Sequence, residues 1–397
     1  MVMAPVEIET SLKAICPRKD LFAAVQIVGH AVTGRSSLPI LGHILIQSEG
    51  NSLRLLATDL ELGISCRLPA HIEEPGSLTA PSKPIAEVLG NLPDKSEVAL
   101  SVDRSYTTRI HCEKSDYKIL GLRPEEYPRL PEVKDTTWFK ISQSVLKEMI
   151  RQTLFAVSMD DGRAVLTGIY MEFQETSLRF VATDTHRLAV KDTTLSEGRG
   201  SQNAIIPSRA MIELTRLLSD SAGDVTVTLS PTQIRFDMPG EDQIQIISRL
   251  IEGQYPNYSR VVPSECSRTI KTDTAPLLSA VRRASIVAKD ATNANRVVLR
   301  TEQNSSLILT AENQMVGSAF EELEASCEGE PIQIAFNAKY LMDVLSVFEE
   351  ESITIELTEP LRPGVLKPVI PPKQEDDIPS SKPAGKYLCV LMPMQLA

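Results

Sequence analysis

Hydrophobic and polar positions follow two rhythms along this chain, and the rhythms recur in a fixed order. In "DLFAAVQIVGHAV" (20–32), Leu21, Val25, Val28 and Val32 recur at helical spacing, as one buried helix face requires. "SVLKEMIRQTLFAV" (144–157) and "TAPLLSAVRRASIV" (274–287) have the same character, with Leu277, Val281, Ala284 and Ala288 on the beat of the last. A second helical pattern follows each, at 81–92, 207–218 and 337–348, and each opens on Pro or Asn, residues at which helices begin. Each of these runs into a segment of period two, "SEVALSVD", "DVTVTLSP" and "ESITIELT", the signature of a half-buried strand.

The order is a threefold repeat. "LRLLATDLELGI" (53–64) aligns with "LRFVATDTHRLA" (178–189) and then with "LILTAENQMVGS" (307–318). "YKILGLRPEEYPRLP" (117–131) matches "QIISRLIEGQYPNYSRVVP" (245–263), and "YLCVLMPMQLA" (387–397) takes that strand position in the last repeat. The expectation is three α+β domains, 1–134, 135–263 and 264–397. Within the third, the proline-rich stretch 359–386 reads as an exposed loop between strands.

Composition adds exclusions. The six cysteines are scattered without metal-ligand spacing, so no disulfide frame, metal or cofactor site is expected, and a reducing cytoplasm is. No apolar window approaches a membrane span. A net charge of −11 argues against a chain that is adhesive to nucleic acid all over, but leaves room for a local basic face. Cations do recur: Lys83, Arg209 and Lys339 at one place in the second helices, and Arg35, Arg163 and Lys289 after the first. Arranged by pseudo-rotation, they would form one surface that touches phosphates without reading sequence.

Asp184, His186 and Arg187 look like acid, base and cation of an active site. No nucleophile elbow, metal set or phosphate loop accompanies them. The first repeat has Thr58-Asp59 followed by Leu60 and Glu61, so no active site is repeated, and Thr-Asp fits a turn cap better.

With "SLPILGHILI", "ATDLELGI", "ATDTHRLAV", "LIEGQYPNYSRVVP" and "VLMPMQL" in this order on a threefold repeat, the chain resembles the beta subunit of bacterial DNA polymerase III, the sliding clamp family. The resemblance implies three clamp-type domains, each with two helices packed on antiparallel sheet, and a head-to-tail dimeric ring around duplex DNA. It implies a non-catalytic processivity factor that docks the replicative polymerase alpha subunit, the clamp loader and repair proteins. Arg35, Lys83, Arg163 and Arg209 would contact DNA. Leu166, Thr183, His186, Arg187, Leu188, Pro256, Arg260, Val261, Val390, Met392, Pro393 and Met394 would form a hydrophobic pocket for partner peptides. Tyr117 would face Ile286 and Val287 of the other chain at the dimer interface. Three positions depart from the family pattern: Gln395 where arginine is common, Thr185 where Gly or Ser is common, and Ala397 beyond the usual end. A repeat scaffold without nucleic acid, or an enzyme using the 166–188 cleft, are the rival classes. Retention on circular DNA separates them from a clamp.

Overall fold

The computed structural model describes residues 11–32, 38–131, 133, 137–220, 223–289, 295–302, 306–370 and 385–396. The first helices of the repeats are α1 (Arg18–Gly29), α3 (Gln143–Leu154) and α5 (Thr274–Ala288). The second are α2 (Ser82–Asn91), α4 (Ser208–Leu217) and α6 (Ala338–Leu345). The apolar stripe read from the first helix is its buried face: Leu21, Val25 and Val28 are almost fully enclosed, as are Leu277, Val281 and Ala284 in α5. In α6 the Asn337 side chain accepts from the backbone N–H groups of Lys339 and Tyr340, satisfying donors that the first helical turn leaves free.

The chain separates into two compact units. One holds the chain up to Ser144 with Glu197–Gly200 and Ile212–Leu250; the other holds Val145–Ser196, Ser201–Met211 and the chain from Ile251 onward. The first unit contains a five-stranded and a nine-stranded sheet, and the second a twelve-stranded sheet. Within each unit, strands of neighbouring repeats share a sheet. In the first unit, Gln245–Arg249 of the central repeat pairs antiparallel with Leu62–Pro69 of the first. In the second, Tyr387–Leu391 of the last repeat pairs with Arg187–Thr194 of the central one. In both cases the closing strand of one repeat completes the sheet of the repeat before it.

Where the proline-rich stretch re-enters the sheet, Asp192 N donates to Lys386 O at 2.8 Å. A Cβ at Gly385 would lie 1.7 Å from Asp192 O, so only glycine fits there. The bulk of that stretch, 371–384, lies outside the described residues.

All six cysteines are free; Cys16, Cys66, Cys112 and Cys389 are buried, and Cys266 and Cys327 are partly exposed. Burial pushes the thiols of Cys16, Cys66 and Cys389 up to about 12. A thiol reagent at pH 8 should therefore modify Cys266 and Cys327 in the folded chain and reach the other four only on unfolding. Rapid native labelling of a third thiol would contradict this packing. Because the folded values lie above the unfolded ~8.5, these thiols contribute full stability below about pH 8. That contribution falls as pH rises toward the folded values, which an alkaline series of urea melts measures.

Candidate functional site

The Thr-Asp turn is built twice from the same bonds. In the central repeat Thr183 Oγ1 donates to Arg187 O (2.6 Å) and accepts from Thr185 N (3.1 Å). Asp184 Oδ1 accepts from the N–H groups of His186 (2.9 Å) and Arg187 (3.0 Å). In the first repeat Thr58 and Asp59 make the equivalent bonds to Leu62 O and to the N–H groups of Leu60, Glu61 and Leu62. Asp184 is thus a turn cap, its second oxygen taken by Arg187 Nε at 3.0 Å, and it is not available as a general base.

Beyond this turn lies an apolar cavity of about 270 Å³, wholly within the second unit. Leu166, Thr183, Arg187, Leu188, Pro256, Val261, Val390 and Met392, all named from the sequence, line it, together with Thr185, noted there as a departure from the family pattern, and Asn257 and Tyr258, which sequence reasoning did not single out. His186, Arg260, Pro393 and Met394 are not on its wall. The ring of His186 instead stacks at 5.9 Å on Tyr340 of α6. The terminal segment is pinned by its backbone, Met392 N to His186 O at 2.9 Å and Met394 N to Ala335 O at 2.8 Å. Arg296 Nη1 donates to Gln395 O at 3.3 Å.

A comparison of repeats explains why the cavity opens here. Gly63 occupies the place of Leu188, and Leu130 that of Tyr258. A Cβ on Gly63 would lie 2.3 Å from Leu130 Cδ2, so in the first repeat the leucine fills the space above the strand. In the central repeat Tyr258 is held by its hydroxyl, which donates to Glu172 (3.0 Å) and accepts from Arg179 (3.2 Å). Burial holds that phenol above its ordinary value, so it stays a neutral donor. Tyr255 stacks on Tyr170 at 4.6 Å behind the wall.

Arg187, named from the resemblance as a pocket residue, lines the cavity, but its side chain is only 10% exposed. Its guanidinium lies 4.6 Å from the Tyr340 ring and 5.4 Å from Phe155. Nη1 donates to Asp343 at 2.5 Å. Nε and Nη1 are spent on the scaffold, and what the arginine gives the cavity is its stem and the position of its strand. Arg163 is the reverse case. Read from sequence as a DNA contact, its side chain is drawn to the Thr-Asp turn, with Nε on Asp160 (2.9 Å) and Nη1 on Asp184 O (3.3 Å) and Thr185 Oγ1 (3.1 Å). Lys83, Arg209 and Lys339 each stand second in α2, α4 and α6, and Arg35 lies outside the described residues.

Tyr117 is exposed on Ser115–Leu120, the edge strand of the five-stranded sheet, beside Leu120, which is 77% exposed. Ile286 on α5 is 68% exposed and Val287 is half-buried. Among the described residues no group of three His, Cys, Asp or Glu could hold a metal ion. Replacing Arg187 with Ala leaves Asp184 and Asp343 without their cation. It should lower stability by about 3 kcal/mol in a urea melt, against under about 1 kcal/mol for an exposed pair such as Arg249–Glu61.

Comparisons with known proteins agree over the whole length. The families described as DNA polymerase III beta subunit, N-terminal, central and C-terminal domain match residues 12–131, 140–257 and 259–379. The "Beta sliding clamp" of Synechococcus elongatus is 34% identical over 366 residues, covering 91% of this chain and 97% of that protein. That of Staphylococcus epidermidis is 33% identical over 357 residues, covering 88% and 92%. The crystal structure of the DNA polymerase sliding clamp from Bacillus subtilis superposes with a TM-score of 0.89 at 28% identity, covering 98% of this chain and 100% of that one. A sliding clamp from Pseudomonas aeruginosa bound to griselimycin gives 0.87 at 27% identity, covering 97% and 100%. With three consecutive domain families matched and relatives aligned along nearly their full length, the chain belongs to the DNA polymerase III beta subunit family, the bacterial sliding clamps.

Proposed function

We propose that this chain is a processivity factor for DNA replication: two copies close head to tail into a ring that encircles duplex DNA and slides without reading sequence. The ring is non-catalytic and works in the cytoplasm. It tethers the replicative polymerase alpha subunit and takes the clamp loader and repair proteins at the same apolar pocket. Three domains, divided near 134 and 264, supply its symmetry.

The observation that carries the ring is the ladder pattern. Leu62–Pro69 and Arg187–Thr194 each receive the closing strand of the next repeat on their outer edge. Among the described residues, the equivalent part of Gly317–Glu328 pairs over residues 317–324 on one side only, with Ser306–Asn313. The closing strand of the first repeat, Ser115–Leu120, likewise ends its sheet. Among the described residues, the repeated pairing of closing strand with the preceding repeat is thus left open at one acceptor edge and one donor strand, the condition for heterologous closure by a second copy. Apolar side chains mark both, Tyr117 and Leu120 on one, Phe320 (62% exposed) and the nearby Ile286 on the other. Lys118 on the donor strand and Glu322 and Glu324 on the acceptor are of opposite charge.

For DNA, the support is the placement of Lys83, Arg209 and Lys339 as second residues of their helices. The positive end of a helix disfavours a cation there by a few tenths of a kcal/mol, so helix stability does not explain the recurrence. Contact with phosphates does, with Arg35 and Arg163 adding to it. For peptides, the support is the preformed cavity with a methionine on its wall, since Met adapts to several sequences and a few apolar anchors dominate such binding.

The solution mass should be twice 43.7 kDa, and the loaded protein should stay on circular DNA and leave when that DNA is cut. A monomer, or equal retention on linear DNA, overturns the ring. Met392→Glu should weaken partner-peptide binding at least tenfold, measured by fluorescence anisotropy, without changing the mass. Unchanged affinity overturns the pocket.

A further inference from the structure

Arg163 joins two parts of the central repeat that DNA contact and docking use separately. It sits within Asp161–Leu166, where the backbone leaves helical geometry at φ −116° and ψ 57°, three residues before Leu166 of the cavity wall. Nε donates to Asp160 Oδ2 at 2.9 Å, and Nη1 donates to Asp184 O at 3.3 Å and Thr185 Oγ1 at 3.1 Å. Asp160 is itself fixed, its other oxygen accepting from Gly162 N at 3.0 Å. Two of the three bonds therefore hold the turn whose Thr183, Thr185 and Arg187 line the cavity, and both of their acceptors are neutral. The arginine side chain is 41% exposed, so an anion can reach it from solvent. Phosphate oxygens are charged acceptors, and a charged hydrogen bond is about twice as strong as a neutral one. A phosphate at Arg163 takes Nη1 from the turn, while the carboxylate of Asp160 keeps Nε. The turn then loosens at Thr185, which has a φ of +80°, a region that a β-branched residue adopts only at a cost. Its hydroxyl, released by the arginine, regains rotamer freedom that a docked chain has to remove again.

Resting on the DNA and docking readings above, we propose that Arg163 couples the two: a phosphate on its guanidinium weakens docking at the cavity, and a docked chain weakens the phosphate contact. Linkage makes the two factors equal. The bonds exchanged have neutral acceptors and are part-exposed, which sets the factor at about threefold. A protein docked on a ring that has closed around DNA is thus released more readily than one docked on a ring in solution.

The test uses the full-length protein, a short blunt duplex and an uncharged labelled peptide with leucine and phenylalanine anchors, on which the field of DNA has no direct hold. Peptide affinity is read by anisotropy at low salt with and without saturating duplex, and duplex affinity with and without saturating peptide. In the wild-type chain each ligand should weaken the other about threefold. R163A removes the phosphate contact and the bonds to the turn together, and both factors should fall to about one. T185V keeps the arginine and the branched shape but lacks one acceptor, and its factor should be smaller than that of the wild type. An arginine with a structural role alone would change peptide affinity equally with and without duplex. Wild-type protein that binds both ligands with a factor of one, or an undiminished factor in R163A and T185V, overturns the coupling and leaves both readings standing. Failure of the wild-type chain to bind the duplex or the peptide overturns the corresponding reading and the coupling with it.

Discussion

The backbone ladder between Tyr387–Leu391 and Arg187–Lys191 is the interaction on which the site depends. It places Val390 opposite Leu188 and Leu391 opposite Arg187, and so brings a segment from the end of the chain to a turn two hundred residues earlier. Slipping this register by one residue would turn Val390 away from the cavity and replace it with Cys389 or Leu391. The register is held at one end by Asp192 N on Lys386 O, where only glycine fits at 385, and at the other by Met392 N on His186 O.

A second constraint is the buried charge of Arg187. A guanidinium removed from water has to be paired, and two carboxylates and two aromatic rings surround this one. Asp184 comes from the turn and Asp343 from α6, so the pair ties the cavity wall to the helix that carries Lys339 near its start. The arginine that looked like a reactive group is structural. Arg163, proposed above as a phosphate contact, bonds the same turn through Asp184 O and Thr185 Oγ1.

Much of this was legible in the sequence because repetition supplies its own control. Helix faces such as Leu21, Val25 and Val28 followed from spacing alone, and the shared Thr-Asp pair marked the turn as scaffold before any geometry was known. Pattern was blind where the decision lies in side-chain direction. His186 and Arg187 are adjacent to the cavity in sequence, yet the ring of one and the charge of the other go to Tyr340 and Asp343, more than a hundred residues away. Tyr258 was missed for the opposite reason: its role rests on Glu172 and Arg179, which no local motif connects to it. The sharing of sheets between repeats was also hidden, since alternation marks a strand but not its neighbour.

The leucine that sits above Gly63 has a consequence for stoichiometry. A threefold repeat would ordinarily give each repeat an equivalent cavity, yet in the first repeat Leu130 fills the space above Gly63. The number of partners a molecule can hold is thus uncoupled from the number of repeats that build it. Architecture and occupancy can then change independently, the first through strand pairing and the second through a single side chain.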